Sequence, residues 1–168
     1  MAKSLIVDTL SEKDKIKLGI EKEELNLSVG SVHKIKMTEK DGITLKGEDK
    51  ERGYRPKMAV VVAIKEDIYY ATVLINSEPN TKLITEENIT KDFHPIKMED
   101  YSFIYEEYDP SFVDCGKIFS FTKERILREN NFKGHLLPQD CESVIKRIKN
   151  SERIELFDLI DYGFIEDY

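Results

Sequence analysis

A run of seven apolar residues, Met58 to Ile64, is the strongest hydrophobic signal along the chain. It is short, rich in valine and closed by charged residues, so it predicts a β-strand that is buried on both faces. Pro56 precedes the run and lacks the N–H group that a central strand donates, so it fits only at the start of the strand. The pattern therefore places two long cations, Arg55 and Lys57, where a loop enters the most buried strand.

Further strands are predicted on both sides of this run. Residues 29 to 37 alternate between apolar and polar positions, with His33 on the more apolar side. Residues 68 to 75 follow the central strand after a short charged connection, which predicts a hairpin. Extended segments are also expected at 43–45, 93–98, 101–105 and 111–121, the last with Gly116 as a bulge or a close approach.

Helical patterns are concentrated in the last third of the chain. Thr122 is placed to begin one helix, and Pro138 opens a second one with an apolar face. The acidic tail predicts a third helix that docks on the core and stops at Gly163. A loose helical stripe is also expected within residues 11 to 28, whereas the polar segment 46 to 53 predicts a surface loop.

The predicted elements fit a single domain over residues 1–168. A chain of 168 residues can bury a core without disulfides or metals, and we find no repeat or linker that would divide it. The predicted parts are an N-terminal extension (1–28), a β region (29–121) and C-terminal helices (122–162). The fold class is therefore mainly β with C-terminal helices.

The composition narrows the classes of function. A net charge of −7 argues against coating nucleic acid through overall charge, so a contact with RNA or DNA would need a local basic cleft. Cys115 and Cys141 are too few and too far apart for a disulfide framework or a zinc knuckle, and we expect buried free thiols. Because no apolar leader and no long apolar run are present, we expect a soluble cytoplasmic protein that does not contact membranes.

Common catalytic motifs are missing from the sequence. It contains no P-loop, no G-x-G-x-x-G after a strand, no H-E-x-x-H, no C-x-x-C and no G-x-S-x-G. His33, His94 and His135 have no spacing typical of a metal site. Nucleotide hydrolysis through a P-loop, zinc chemistry and α/β-hydrolase chemistry are therefore disfavoured, and we expect no cofactor.

The remaining candidates for chemistry lie on predicted strands, most of them at strand ends. Arg55 and Lys57 are either a solvated strand end or a site for an anion. Asn76 and Ser77 follow the strand at 68 to 75, either as ordinary turn residues or as hydrogen-bonding groups of a site. His33 is either a hydrogen-bonded core histidine or a functional group.

The order of these elements resembles the MazF/PemK family. The shared features are Gly-Ser-Val opening a strand at 30–32, a polar loop ending in Gly-Tyr-Arg-Pro at 53–56, a buried valine-rich strand, a hairpin partner ending in a small polar pair, a Ser-led strand at 111–121 and a helix pair. They cover about residues 29 to 150, and the layout also looks like the ToxN branch. The resemblance implies a small SH3-like β-barrel with appended helices, and a toxin that cuts single-stranded RNA without a metal.

The resemblance also assigns roles to individual residues. Arg55 matches the family's phosphate-contacting arginine, and Lys57 stands near the strand-start lysine of ToxN-like proteins. Asn76 and Ser77 match a Thr-Ser pair of the family, with asparagine in place of threonine and the hydroxyl kept at Ser77. Lys117 falls where relatives often carry a polar residue inside the barrel. The resemblance implies that Asn76, Lys117 and Glu51 contact substrate.

The implied reaction uses the RNA's own 2′-hydroxyl as the nucleophile. The enzyme then has to orient that group, remove its proton and stabilise the charge that builds on the phosphate. Arg55 and Lys57 would stabilise that charge, and Ser77 would donate a hydrogen bond to a phosphate oxygen. His33 or Glu51 would accept the proton, since Glu51 matches an acidic residue that some relatives place before Arg-Pro. The expected product is a 2′,3′-cyclic phosphate, and the expected partners are single-stranded RNA, an antitoxin and a second copy of the chain.

Two hypotheses from other classes remain open. A non-catalytic SH3-like barrel could bind a peptide or nucleic acid, and both the asparagine at position 76 and the acidic net charge favour it. Fold analogy alone does not choose between the two functions. A structural partner protein would instead expose the acidic, aromatic tail from 152 to 168 as a surface patch.

Overall fold

The computed structural model describes residues 26–79 and 85–167. Within these ranges seven antiparallel strands form one curled sheet. The strands are β1 (Ser31–Met37), β2 (Arg55–Lys65), β3 (Tyr69–Asn76), β4 (Phe93–Ile96), β5 (Ser111–Asp114), β6 (Phe119–Thr122) and β7 (Phe132–His135). Their spatial order is β4-β5-β3-β2-β1-β7, with β6 also paired to β3. The mainly β class predicted from the sequence is confirmed.

Five α-helices accompany the sheet in the described ranges. They are α1 (Glu48–Arg52), α2 (Glu86–Asp92), α3 (Lys123–Glu129), α4 (Pro138–Asn150) and α5 (Leu156–Asp161). The Thr122 hydroxyl accepts from the N–H of Arg125 and caps α3, and Pro138 occupies the first turn of α4, as predicted. Among the described helices none is long and apolar enough to span a membrane.

The predicted central strand is β2, and it pairs with β1 on one side and β3 on the other. The β2–β3 register runs from Met58 opposite Ile75 to Lys65 opposite Tyr69, and a bulge at Val62 shifts it. Residues on both sides of β2 are buried because the sheet carries a core on each face. The uninterrupted apolar run is therefore explained by two cores, not by one.

A different helix packs against each face of the sheet. On one face α4 packs on the sheet and buries Val144 and Ile148 together with Val60 and Val113. On the other face Ile126 of α3 joins a smaller cluster. The tail contributes to the first core through α5 and the residues after it, since Leu159 and Phe164 are buried and Gly163 ends the helix at a φ of +73°.

Several predicted elements differ in the structure. The predicted strand 111–121 is two strands, β5 and β6, which pair with different parts of β3. The segments 43–45 and 101–105 are not strands, and the predicted loop at 46–53 contains α1. Strand β7 was not predicted, and most of the helix expected within 11–28 lies outside the described residues. Cys115 is buried and Cys141 partly buried, both as free thiols.

Candidate functional site

A groove of about 860 Å³ opens where β2 begins and β3 ends. These two ends are neighbours because the strands are antiparallel and Met58 lies opposite Ile75. Other walls come from α1, from the segment before β5 and from the connection between β5 and β6. The groove thus collects residues that are far apart along the chain.

Five of the seven site residues predicted from the sequence line this groove. They are Arg55, Lys57, Asn76, Ser77 and Lys117. The register of β2 and β3 places the two cations of β2 beside Asn76 and Ser77. Lys117 lies in the connection between β5 and β6. The structure does not place the other two, His33 and Glu51, among the lining residues.

Lys57 is the most enclosed cation at the strand ends. It is partly buried, and its Nζ donates to Asn76 Oδ1 at 2.9 Å. Burial, helped by the neighbouring Arg55 guanidinium, lowers the pKa of Lys57 to about 8, although the carboxylates of Asp49 and Asp114 oppose the shift. The uncharged amine, which can accept a proton, is therefore easier to form near neutral pH here than in an exposed lysine.

Arg55 lies at the outer rim of the groove. Its side chain is 52% exposed, and its Nε is 3.7 Å from Asp49 Oδ2. Asp49 also accepts a hydrogen bond from Arg52 one turn along α1. Because this carboxylate is shared and its contact with Arg55 is long, the Arg55 guanidinium keeps donors that can bind phosphate oxygens.

Ser77 and Lys117 lie at two other parts of the groove wall. Ser77 is exposed and lies one residue beyond β3. Lys117 is exposed in the connection between β5 and β6, where its Nζ donates to the carbonyl of Gly42 at 3.2 Å. The same Nζ is 4.9 Å from the ring centroid of Phe119. A hydroxyl donor and a second amine are thus available along the groove.

Asp114 lines the groove but is already occupied by other groups. It accepts hydrogen bonds from the Arg153 guanidinium and from the N–H of Gly116 at 3.0 Å. Arg153 also binds the fully buried Asp92, with Nε 2.6 Å from Oδ2. The tail residue Arg153 therefore ties the groove to the first core, and we assign Asp114 a structural role.

The two candidate proton acceptors lie elsewhere. His33 is 4% exposed, and its Nε2 is 3.1 Å from Ser31 Oγ, with the ring packed near Phe132. Burial, assisted by the neighbouring His135, lowers the pKa of His33. Glu51 is exposed on α1, the helix whose Asp49 reaches the groove. The geometry thus corresponds to the hydrogen-bonded core histidine.

Sequence reasoning missed several residues of the groove. Asp49 and Arg52 are spaced by three, which would have placed them on one face if the segment had been predicted helical. Tyr105 and Tyr108 have the same spacing in an acidic stretch; in the structure Tyr105 precedes a 3₁₀ turn and Tyr108 is its last residue. Arg153 carries no signal in the sequence, because its contacts depend on how the tail folds back.

The groove has the opposite charge to the chain as a whole. Six lining side chains are cationic (Lys34, Arg52, Arg55, Lys57, Lys117, Arg153) and three are anionic (Asp49, Glu78, Asp114). The local balance is therefore +3, against −7 for the full sequence. Such a groove can attract a polyanion although the rest of the surface repels it.

Comparison with protein-family models and with curated proteins gives no match. The functional interpretation therefore depends on the residues, geometry and charge of the groove. Within the described ranges no three His, Cys, Asp or Glu side chains are arranged to hold a metal ion.

Proposed function

We propose that this chain is a metal-independent endoribonuclease of the MazF/PemK type, which cleaves single-stranded RNA to a 2′,3′-cyclic phosphate. The observation that carries the proposal is the meeting of Arg55, Lys57, Ser77 and Lys117 in one cationic groove. RNA supplies its own nucleophile, so cations, a hydroxyl donor and a base are a sufficient set of groups.

Lys57 is the base in the proposed reaction. Its neutral amine takes the proton of the 2′-hydroxyl, and its pKa of about 8 makes that form available near neutral pH. The 2′-oxygen then attacks the adjacent phosphorus, so that the bond from phosphorus to O2′ forms and the bond from phosphorus to O5′ breaks. The protonated Lys57 returns the proton to the departing 5′-oxygen.

Arg55 stabilises the charge that develops on the phosphate. The planar guanidinium can donate to two phosphate oxygens at once, and its exposure leaves room for the substrate. Ser77 donates to a further oxygen, and Lys117 binds a neighbouring phosphate. The role of Asn76 is to hold Lys57 through its side-chain carbonyl.

An SH3-like barrel is the fold that we propose together with this activity. The curled antiparallel sheet, with the long hairpin β2–β3 at its centre and α3 and α4 after β6, is compatible with an SH3-like barrel of the MazF/PemK type. An antitoxin and a second copy of the chain are the partners that this assignment implies. The proposal that the chain is a toxin also depends on this MazF/PemK-type fold.

A non-catalytic function is the second candidate. It is favoured by the positions of His33 and Glu51, the two bases expected from the sequence, because neither lines the groove. Catalysis then depends on the Lys57 amine as the base. The groove would then bind single-stranded nucleic acid through charge alone. Both candidates require Arg55, but the second leaves the RNA intact.

The test is cleavage of a mixed-sequence RNA by the purified full chain in EDTA, with the ends analysed for 2′,3′-cyclic phosphate. We expect cleavage, and we expect Arg55→Ala to lower its rate at least about a hundredfold because a donor to the transition state is lost. Arg128→Ala, an exposed arginine on α3 that does not line the groove, is the matched control. Bound but intact RNA would support the second candidate, and RNA that is neither bound nor cut would reject both.

A further inference from the structure

Two exposed tyrosines line the cationic groove. Tyr105 is 63% exposed and Tyr108 is 49% exposed, and both belong to the groove wall. Exposed aromatic rings grouped at one place mark binding surfaces more often than ordinary surface. The roles proposed for the cations and Ser77 give these two tyrosines no function.

The other described tyrosines near this end of the fold are engaged in contacts. Tyr54 lies under the cations of Lys36 and Arg52, and the Tyr101 hydroxyl binds Asp140. By contrast, within the described ranges the side chains of Tyr105 and Tyr108 make no hydrogen bond and no ring or cation contact. Both side chains are therefore free to contact a ligand in the groove.

The backbone that carries the two rings is fixed in place. Tyr108 N donates to Tyr105 O at 2.9 Å, which closes the 3₁₀ turn. Ser111 Oγ donates to Tyr108 O at 2.7 Å, and Asp109 Oδ1 accepts from Met98 N at 2.9 Å. A ring on a fixed turn loses little conformational entropy when a flat ligand stacks on it.

The charges around the turn select the kind of group that can bind there. Glu106 and Glu107 are exposed between the two tyrosines, and they disfavour a phosphate at this point. The cations lie at the strand ends of the same groove, at Arg55 and Lys57. The charges therefore favour a phosphate at Arg55 and Lys57 and an uncharged flat group at the tyrosines.

We infer that Tyr105 and Tyr108 form a stacking platform for unpaired nucleobases of the RNA strand whose phosphate binds at Arg55 and Lys57. This inference rests on the proposed function and assigns it a base-binding subsite. A cationic groove with aromatic platforms is the arrangement by which proteins bind single strands, because every base has a face that can stack. A duplex keeps its bases stacked inside and is excluded from such a platform.

The test is binding of a 2′-O-methyl RNA strand, which has no free 2′-hydroxyl, with one 2-aminopurine base moved along the sequence. Stacking on the protein quenches the fluorescence of this base. We expect quenching at one or two positions for the wild-type chain, and dissociation constants about fivefold to a hundredfold higher for Tyr105→Leu and Tyr108→Leu, with quenching lost. Tyr105→Phe and Tyr108→Phe keep the ring and should bind within about twofold of wild type.

The controls separate this inference from the proposed function. Tyr69→Leu removes a tyrosine that is 43% exposed but does not line the groove, and it should bind like wild type. A wild-type chain that binds no single strand overturns both the subsite and the proposed function. If the two leucine variants bind the strand as tightly as the wild-type chain does, the subsite is wrong and the proposed function stands. If the phenylalanine variants are as weak as the leucine ones, hydroxyl contacts replace stacking and the platform is wrong.

Discussion

At the scale of single residues, the three cations of the proposed site differ in how far they are exposed to solvent. Arg55 and Lys117 are exposed, whereas Lys57 is partly buried beside the Arg55 guanidinium. Desolvation disfavours the charged amine, and the nearby like charge adds to this effect. The exposed cations are suited to hold phosphates, and the enclosed amine is suited to exchange a proton.

The first prediction concerns the pH dependence of RNA cleavage. The base must be uncharged, and below its pKa the uncharged fraction falls tenfold for each pH unit. With a pKa of about 8 for Lys57, the single-turnover rate should rise about tenfold from pH 6 to 7 and level off above about pH 8. The measurement is a pH profile between 5.5 and 9.5, roughly the range that brackets this pKa.

Lys57→Arg is the informative variant for this profile. It keeps the positive charge but cannot lose its proton in this range, so the rate should fall about a hundredfold or more and the inflection near pH 8 should disappear. A Lys57→Arg protein that cuts RNA at the wild-type rate would remove Lys57 as the base. A flat wild-type profile would do the same.

At the scale of elements, the break between β5 and β6 determines the shape of the groove. The connection places Lys117 in the wall, and within it the guanidinium of Arg153 packs against Gly116. A methyl group added at Gly116 would overlap the guanidinium of Arg153. The predicted close approach at Gly116 is therefore a contact with the tail.

The second prediction is that Gly116→Ala destabilises the fold. Displacing Arg153 leaves the fully buried Asp92 without its cation, and breaking a buried ion pair costs about 3–5 kcal/mol when nothing replaces the partner. Since Arg153 is partly exposed and can adjust, we expect a loss of about 2 kcal/mol or more in the free energy of unfolding. Urea unfolding followed by circular dichroism measures it.

An Asp92→Asn background provides the internal control. The neutral amide no longer needs the guanidinium charge, so the added cost of Gly116→Ala should be smaller there. Glu152→Ala, next to Arg153 but on the surface, should change stability by less than about 0.5 kcal/mol. A Gly116→Ala protein as stable as wild type would show that Arg153 is not required to stay in place.

At the scale of the whole molecule, a basic groove lies in an otherwise acidic chain. The groove carries a net +3 in a chain of net −7. Under the proposed function, a single strand would be attracted at the groove and repelled elsewhere, which would limit binding to this one region. Affinity should therefore depend on salt through the few cations of the groove alone.

The third prediction is the size of that salt dependence. Because Lys57 must be uncharged to act as the base, Arg55 and Lys117 are the two cations expected to neutralise one phosphate each. The slope of log affinity against log salt for a single strand should then be about −1.4. Lys117→Ala should reduce this slope by about 0.7. The measurement is fluorescence anisotropy of a labelled 2′-O-methyl RNA strand at several salt concentrations.

A lysine outside the groove tests whether the effect is local. Lys146 is exposed on α4 and does not line the groove, so Lys146→Ala should leave the slope unchanged. Equal changes in Lys117→Ala and Lys146→Ala would contradict a localised site and indicate diffuse binding over the surface. A slope near zero would exclude phosphate contacts altogether.

The sequence by itself determined the central hairpin, the caps of α3 and α4, and the candidates at the strand ends. These features depend on local rules, such as a valine-rich run, a proline confined to the start of a strand and a threonine before a helix. Because antiparallel neighbours bring the start of one strand beside the end of the next, Arg55, Lys57, Asn76 and Ser77 could be expected together from the hairpin alone.

Only the tertiary structure decided the rest of the groove. The side of the sheet on which His33 is buried, the packing of Arg153 on Gly116 and the placement of Tyr105 and Tyr108 in the groove wall depend on contacts between distant segments. Local sequence patterns report which residues prefer burial, but not which distant segment covers them. The pKa of Lys57 has the same origin, because burial beside Arg55, Asp49 and Asp114 exists only after the chain has folded.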